Sequence, residues 1–275
     1  RVPGLEWQSE YRYPDVTYSD THSLTIGGER LELRHGKGET DDATWVWLPE
    51  RKVLCTGDMF IWASPNCGNP QKAQRYPREW AVALRAMAAL GAEVLLPGHG
   101  PPIWGADRVE QALTETAALL ETLVAQTVER MNAGDRLDDI VASVHAPPEL
   151  LARPYLRPIY DEPEFVVRNL WRLHGGWYDG NPAHLKPARE GALAAEVAAL
   201  SGGPETLAAR AEALSEAGDH ALACHLAEWA AQAGGSAEGA ARSRVYARRA
   251  EAEGSLMAQS IYLQAAESPV GKPNG

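Results

Sequence analysis

A change of sequence pattern near residue 108 constrains the fold more than any other feature of the chain. Up to about residue 105, short apolar or alternating runs such as RLELRH, ATWVWLP and KVLCTGDMF are bounded by Gly, Pro or Asp, and such runs are typical of β-strands. Beyond Arg108, apolar residues recur at three-to-four spacing, and from about residue 188 the chain is rich in alanine, which is typical of helices. We therefore predict an α/β part in residues 1–108 and an all-α part in residues 109–275.

Glycine and proline residues mark several expected element boundaries. Gly27 and Gly28 predict a hairpin turn, and Gly91 predicts the end of a helix that begins near residue 79. Gly134 predicts the end of a long helix, and Pro204 predicts the start of a later one. The alanine-rich helices are similar in style to tetratricopeptide hairpins, but they show no repeat of fixed period. Their plainest role is therefore a helical scaffold or a subunit contact.

Composition and charge exclude several classes of function. The chain has 275 residues, of which 45% are hydrophobic, and no apolar run approaches the roughly twenty residues that cross a bilayer. The net charge is −11, and without a patch rich in Lys and Arg such a chain is not expected to bind nucleic acid. The three cysteines lack C-x-x-C spacing, which argues against a disulfide framework and favours a reducing compartment such as the cytoplasm. Because a signal peptide upstream of Arg1 would not be visible, the location in the cell stays open.

Three short segments carry ionisable residues in glycine-containing turns beside predicted strands. They are HGKGETDDATWVWLP, VLCTGD and LLPGHGP, and they supply Glu39, Asp58 and His99. Side chains at strand ends are where α/β proteins meet their ligands. Carboxylate and imidazole donors together suit zinc, manganese or iron. Taken singly, Asp58 is equally well explained as a turn or helix-capping residue and His99 as a structural histidine, whereas Glu39 is better explained as a surface carboxylate.

The segment from Trp62 to Tyr76, which follows Asp58, is predicted to bind substrate. Amide donors and cations suit a tetrahedral anion, and the segment contains Asn66, Asn69, Lys72 and Arg75. A solvated loop is the alternative. A second set of residues has two possible roles, either to line the entrance of the substrate site or to pack the helices onto the sheet. These residues are Arg168, Asn169, Trp171, Trp177 and Tyr178.

Two histidines and one cysteine are assigned structural roles. His22 and His35 lie beside predicted strands without partners at metal-ligand spacing, so we expect both to be structural. Cys67 lies in the predicted substrate segment, but no Cys/His arrangement accompanies it, and nucleophilic catalysis by this thiol is not expected.

The run from Arg34 to Asp58, with the later PGHG, resembles the second half of the metallo-β-lactamase fold. That superfamily usually has a histidine where this sequence has Glu39, whereas alkyl sulfatases carry a glutamate there. The stretches GDMFIWASPNCGNPQKAQRYP and YDEPEFVVRNLWRLHGGWYDGNPAHLKPA also resemble alkyl sulfatases. The alanine-rich helices that follow resemble the dimerisation domain of those enzymes.

This resemblance implies a fold, a cofactor and a reaction. The fold would be the C-terminal half of an αββα sandwich in residues 1–108, followed by a helical dimerisation domain in residues 109–275. Glu39 would bind one metal ion and His99 the other, with Asp58 bridging two zinc ions that activate a hydroxide for catalysis. The substrate would be a small alkyl sulfate or a related ester, and the chain would form a homodimer.

One departure from the family pattern is important. The superfamily motif H-x-H-x-D-H is absent, because the eight histidines include no such cluster. The chain is therefore interpreted as a portion of a hydrolase that is active only with its missing N-terminal half. Half of a sandwich would expose the inner face of its sheet, so we expect this chain never to be alone in solution.

Two alternatives to the sulfatase interpretation stay open. Dinuclear sites of this kind also cleave thioesters and lactones, since the metals alone do not select the ester. In the other alternative, the helices serve only dimerisation, and Glu39, Asp58 and His99 are the remnant of a lost site.

Overall fold

The computed structural model describes residues 10–268. The strands are β1 (Thr21–Ile26), β2 (Glu29–His35), β3 (Thr44–Leu48), β4 (Val53–Ile61), β5 (Val94–His99) and β6 (Ile103–Trp104). The first helices are α1 (Pro77–Ala88), α2 (Ala106–Ala133), α3 (Leu137–Ser143), α4 (Pro148–Leu151), α5 (Pro163–Gly175) and α6 (Pro182–Leu185). They are followed by α7 (Glu190–Ser201), α8 (Pro204–Glu216), α9 (His220–Ala233), α10 (Ser236–Ala252) and α11 (Leu256–Glu267).

All six strands form one sheet in the order in which they occur in the sequence, β1-β2-β3-β4-β5-β6. The neighbouring strands are antiparallel except β4 and β5, which are parallel. Parallel neighbours need a crossover connection, and α1 provides it. The predicted class, a mixed α/β half followed by a helical half, is confirmed.

The two faces of the sheet differ in their burial. On one face Trp47, Leu54 and Leu95 lie in register across β3, β4 and β5 and are buried under α1 and α2. The opposite face carries large apolar side chains with exposed fractions between 36% and 64%, namely Leu24, Ile26, Leu96 and Trp104. Within residues 10–268, Tyr18 packs on one end of this second face, against His22 and Thr44, and the four large apolar side chains stay exposed, as expected for one half of a sandwich.

The apolar core is continuous from the sheet into the helices. Val166 and Leu170 of α5 belong to the same buried cluster as Leu95 and the α2 residues Leu113 and Leu120. Two smaller clusters lie among α7, α8, α9 and α10. The proposed division at residue 108 stays a prediction, and the main core runs across that position.

Most of the expected element boundaries are confirmed. Gly27 and Gly28 form the β1–β2 turn with φ values of 59° and 87°, Gly134 ends α2 in the left-handed conformation, and Pro204 begins α8. The predicted end of α1 at Gly91 was wrong, because the helix ends at Ala88 and Ala89 forms its cap. No helix within the described residues is long and apolar enough to cross a membrane.

Candidate active site

A cavity of about 570 Å³ opens at the end of β4 and β5. All seven residues that the sequence analysis proposed for metal or substrate binding line it: Glu39, Asp58, Asn66, Asn69, Lys72, Arg75 and His99. Its volume lies in the range of pockets that bind small molecules, roughly 300–1,000 Å³. The structure therefore brings together side chains that are up to 60 positions apart in the sequence, from Glu39 to His99.

Asp58 lies inside a β-bulge rather than in a turn after the strand. The sequence pattern predicted that the strand ends before Asp58, but β4 continues to Ile61 and its register with β5 shifts on either side of Gly57. Gly57 has a φ of 52°, which glycine adopts without strain. A bulge redirects the side chain that follows it, and this explains how Asp58 reaches the cavity from within a strand.

Gly98 makes the close approach of β5 to Asp58 possible. A Cβ atom at position 98 would lie 2.1 Å from Asp58 Oδ1 and 2.8 Å from the Asp58 backbone nitrogen. The backbone atoms cannot move aside without disturbing the bulge. The PGHG sequence therefore supplies both a candidate ligand, His99, and the free space that the neighbouring carboxylate occupies.

Asp58 stands between the other two candidate metal ligands. Its Oδ1 lies 3.5 Å from His99 Nε2, and its carboxylate lies beside that of Glu39. Burial raises the pKa of Glu39, and the Asp58 charge adds to this effect, whereas Arg75 opposes it. Asp58 thus lies next to both of the other candidate ligands.

Glu39 is held in place by two of the residues predicted to bind substrate. Its Oε1 accepts a hydrogen bond from Asn66 Nδ2 at 2.6 Å and lies 2.5 Å from Arg75 Nη1. The same Arg75 nitrogen donates to the Asn66 carbonyl at 2.7 Å. Arg75 is buried, so its charge is already paired with Glu39. Among the four predicted substrate residues, Lys72 is exposed at the cavity and Asn69 is buried in its wall.

The candidate ligands provide part of what a metal ion requires. Carboxylate and imidazole donors are of the right types for zinc, which usually takes four ligands. Within residues 10–268, however, no three or more His, Cys, Asp or Glu side chains lie close enough together to hold an ion. The residues present therefore fit part of a metal site in donor chemistry but do not form a complete one.

The apolar wall of the cavity was not foreseen from the sequence. It is formed by Ile159 and Tyr160, which precede α5, and by Leu256, the first residue of α11. Trp62 and Ile61 complete the apolar lining on the sheet side. Single apolar residues in a loop or at the start of a helix carry no motif, so no sequence signal marked Ile159, Tyr160 and Leu256.

Asp161 is a further residue that no sequence signal marked. It is fully buried, and its two carboxylate oxygens accept hydrogen bonds from the backbone nitrogens of Gly68 at 2.6 Å and Glu162 at 2.7 Å. Gly68 fits flush against α5, because a Cβ there would lie 2.2 Å from the backbone of Phe165. Asp161 thereby ties the 62–76 segment to the start of α5.

The buried carboxyl of Asp161 is expected to make stability depend on pH. Burial raises its pKa from 3.8 to about 6, so the protonated form favours the folded state. This contribution is complete below the unfolded pKa and is lost as the pH rises through 6, which amounts to roughly 3 kcal/mol at 1.36 kcal/mol per pKa unit. Urea unfolding of the wild type and Asp161→Asn between pH 4 and 7.5 should show the wild type losing stability relative to the variant. Parallel curves would contradict the assignment.

The remaining candidates lie away from the main cavity. Arg168 and Asn169 line a smaller cavity on the other side of the 62–76 segment, and Trp171 donates its indole N–H to the Tyr178 carbonyl. Trp177 is exposed and is not part of the cavity lining. Burial raises the pKa of the Cys67 thiol, which makes it a poor nucleophile, as expected.

The two histidines with expected structural roles have local partners. His35 Nε2 lies 2.7 Å from the Asp41 carbonyl oxygen, and His22 stacks on the ring of Tyr18 with 5.9 Å between centroids. Neither residue lines the main cavity.

Two protein-family models match the chain. The model of the metallo-beta-lactamase superfamily matches residues 5–99, and the model described as alkyl sulfatase dimerisation matches residues 136–269. The first match includes Glu39, Asp58 and His99, and the second includes Ile159, Tyr160 and Leu256. The cavity is thus lined from both matched regions.

Curated and solved relatives agree with the family models. A linear primary-alkylsulfatase from Pseudomonas sp. is 31% identical over 84% of this chain and 43% of its own length. An (R)-specific secondary-alkylsulfatase from Pseudomonas sp. is 30% identical over 74% of this chain and 31% of its own length. The structure of the inverting sec-alkylsulfatase Pisa1 from Pseudomonas sp. superposes with a TM-score of 0.86 at 26% identity, over 95% of this chain and 43% of that one. The chain therefore spans less than half the length of these relatives.

Proposed function

Because this chain belongs to the metallo-β-lactamase superfamily, with the fold of its alkyl sulfatases, we propose that it is part of a metal-dependent hydrolase that cleaves alkyl sulfate esters. The observation that carries this proposal is one cavity that is lined by both ionisable and apolar side chains. Glu39, Asp58 and His99 lie next to one another in it, and Ile61, Trp62, Ile159, Tyr160 and Leu256 give it a large apolar lining. An ester with an anionic head and a hydrocarbon tail has the matching distribution of charge.

Glu39, Asp58 and His99 are proposed as the ligands that this chain contributes to two zinc ions. Glu39 would bind one ion, His99 the other, and Asp58, which lies next to both residues, would bind both ions. When bound, such ions acidify a water molecule and stabilise negative charge on the ester oxygens. Asn66 and Arg75 would act through Glu39, whose carboxylate they orient.

Lys72 and Asn69 are proposed to receive the sulfate head of the substrate. Lys72 is exposed where it lines the cavity, so its ammonium group attracts an anion without the cost of losing its own solvation. Asn69 lies deeper in the same wall and offers amide donors to the sulfate oxygens. The net charge of −11 does not oppose this role, because a local cation outweighs a distant average field.

Two partners are proposed besides the substrate. The open apolar face of the sheet, with Leu96 and Trp104, would pack against a second sheet that brings the remaining metal ligands. That sheet would come from the N-terminal half of the same enzyme, in one chain or as a separate piece. A second copy of the chain would pair through the helices, since residues 136–269 match a dimerisation family.

A non-catalytic dimerisation scaffold is the competing function. The observation in its favour is that the described residues contain no complete metal-binding group. A hydrolase of thioesters or lactones is a third possibility, because the same ions serve those substrates as well.

The test combines metal content with substrate choice. The chain is expressed alone and with the polypeptide that supplies the second sheet, and zinc is then measured by elemental analysis. We expect two ions per completed protein, little metal on the chain alone, and sulfate release from decyl sulfate but no cleavage of an acyl thioester. No metal in either sample would favour the scaffold, and thioester cleavage without sulfate release would favour the third possibility.

A further inference from the structure

The apolar wall of the cavity comes from parts of the chain that are distant from the proposed metal ligands in the sequence. Ile159, Tyr160 and Leu256 have exposed fractions of 49%, 37% and 56%, although all three are large and apolar. Exposed apolar side chains gathered in a concave site indicate ligand binding. All three lie in the region that matches the dimerisation family.

Leu256 is fixed at the wall even though its side chain is exposed. Its backbone nitrogen donates to the Ile159 carbonyl at 3.0 Å, which joins the start of α11 to the loop before α5. The preceding Ser255 is buried, caps α11 by accepting from the Ala258 nitrogen, and donates to Glu162 Oε1 at 2.5 Å. A side chain on so well anchored a backbone is preorganised, and binding to it costs little ordering entropy.

Trp62, which lines the same cavity, is also fixed in its position. The indole nitrogen of Trp62 donates to the Pro101 carbonyl at 2.7 Å. Gly100 lies so close to this ring that a Cβ would be 2.3 Å from it. Trp62 and Leu256 are therefore fixed apolar groups in the same cavity as its polar edge, which is formed by Glu39, Asp58 and His99.

We propose that Ile159, Tyr160 and Leu256 bind the hydrocarbon chain of the ester and set the chain length that the enzyme accepts. The helical region then has a role in substrate selection in addition to any role in dimerisation. This inference rests on the proposed function, because it takes the polar edge as the place of the sulfate head. Each methylene buried against the wall contributes roughly fourfold in affinity.

The test compares two leucines of the same helix. Leu256→Ala removes part of the wall, whereas Leu263→Ala truncates a leucine of α11 that is 49% exposed and does not line the cavity. Binding is measured by calorimetry on the completed, zinc-loaded protein, below micelle-forming concentrations. The alkyl sulfonate of each chain length replaces the sulfate ester in the titration, because the active protein would hydrolyse the ester. We expect Leu256→Ala to weaken decyl sulfonate binding about tenfold and to leave ethyl sulfonate binding unchanged. Leu263→Ala should change neither.

A second variant enlarges the side chain at position 256 instead of truncating it. Leu256→Trp adds volume to the wall and should shift the preference towards shorter chains, with decyl sulfonate weakened more than butyl sulfonate. Decyl sulfonate that binds equally to the wild type and to both Leu256 variants would overturn this inference and leave the proposed function intact. Failure of the wild type to bind any of these sulfonates would overturn the proposed function, and the inference with it.

Discussion

Asp58→Ala is expected to lower the rate of sulfate ester hydrolysis on the order of a thousandfold or more. Asp58 lies 3.5 Å from His99 and beside Glu39, so one substitution removes a donor from both proposed ions. Zinc content should fall together with the rate. The fold should be retained, because the Asp58 side chain is partly exposed and its removal leaves no buried charge. The measurements are sulfate release and elemental analysis on the completed protein.

Asp42→Ala provides the matched control. Asp42 is an exposed carboxylate in the β2–β3 connection, close in sequence to Glu39, and it does not line the main cavity. Its removal changes the net charge by the same amount but should leave the rate and the zinc content unchanged. An Asp58→Ala protein that keeps both ions and most of its activity would remove Asp58 from the proposed site.

Arg75→Met is expected to destabilise the fold by about 3–5 kcal/mol. Arg75 and Glu39 form an ion pair in which the side chains are only 7% and 17% exposed. Losing the guanidinium leaves the Glu39 carboxylate poorly solvated next to Asp58. Methionine keeps most of the aliphatic volume, so the loss of charge is the main change. The free energy of unfolding of the metal-free protein, from urea titration, measures the effect.

Two further variants make this prediction specific. Arg75→Met combined with Glu39→Gln removes both charges and should recover much of the lost stability. Arg168→Met breaks the Arg168–Glu164 pair, whose side chains are about half exposed, and surface pairs of this kind contribute less than about 1 kcal/mol. If Arg75→Met lowered the free energy of unfolding no more than Arg168→Met, the Arg75–Glu39 ion pair would not stabilise the fold.

The sequence identified the polar edge of the site because that edge is encoded locally. Glu39, Asp58 and His99 each lie close to a glycine and beside a strand, and consecutive strands of one sheet bring such positions together. The class of fold followed from the same local patterns, namely alternation in the first part and three-to-four spacing in the second. Local signals of this kind survive in a single sequence.

The parts that could not be predicted depend on packing between distant segments. Arg75 was expected to face the substrate, yet it is buried on Glu39, and only the three-dimensional position of the 62–76 segment decides between these two roles. Asp161 caps a backbone nitrogen 93 positions away. Leu256 has no distinguishing signal in the sequence, and it becomes part of the cavity only because α11 packs beside Ile159. The bulge at Gly57 was missed because glycine before an acidic residue is equally common in turns.

The order of strands in the sheet also bears on how the protein is made. Because each strand pairs with the one before it in the sequence, every strand finds its neighbour already synthesised, and most contacts in the sheet are local, which favours rapid folding. β4 and β5 form the single parallel pair, and this pairing requires only that α1, which connects the two strands, has been synthesised as well. The sheet can thus be complete before its apolar face is covered. The interval between these two events is when aggregation competes with assembly, and the yield of native protein should depend on the concentration of whatever covers that face.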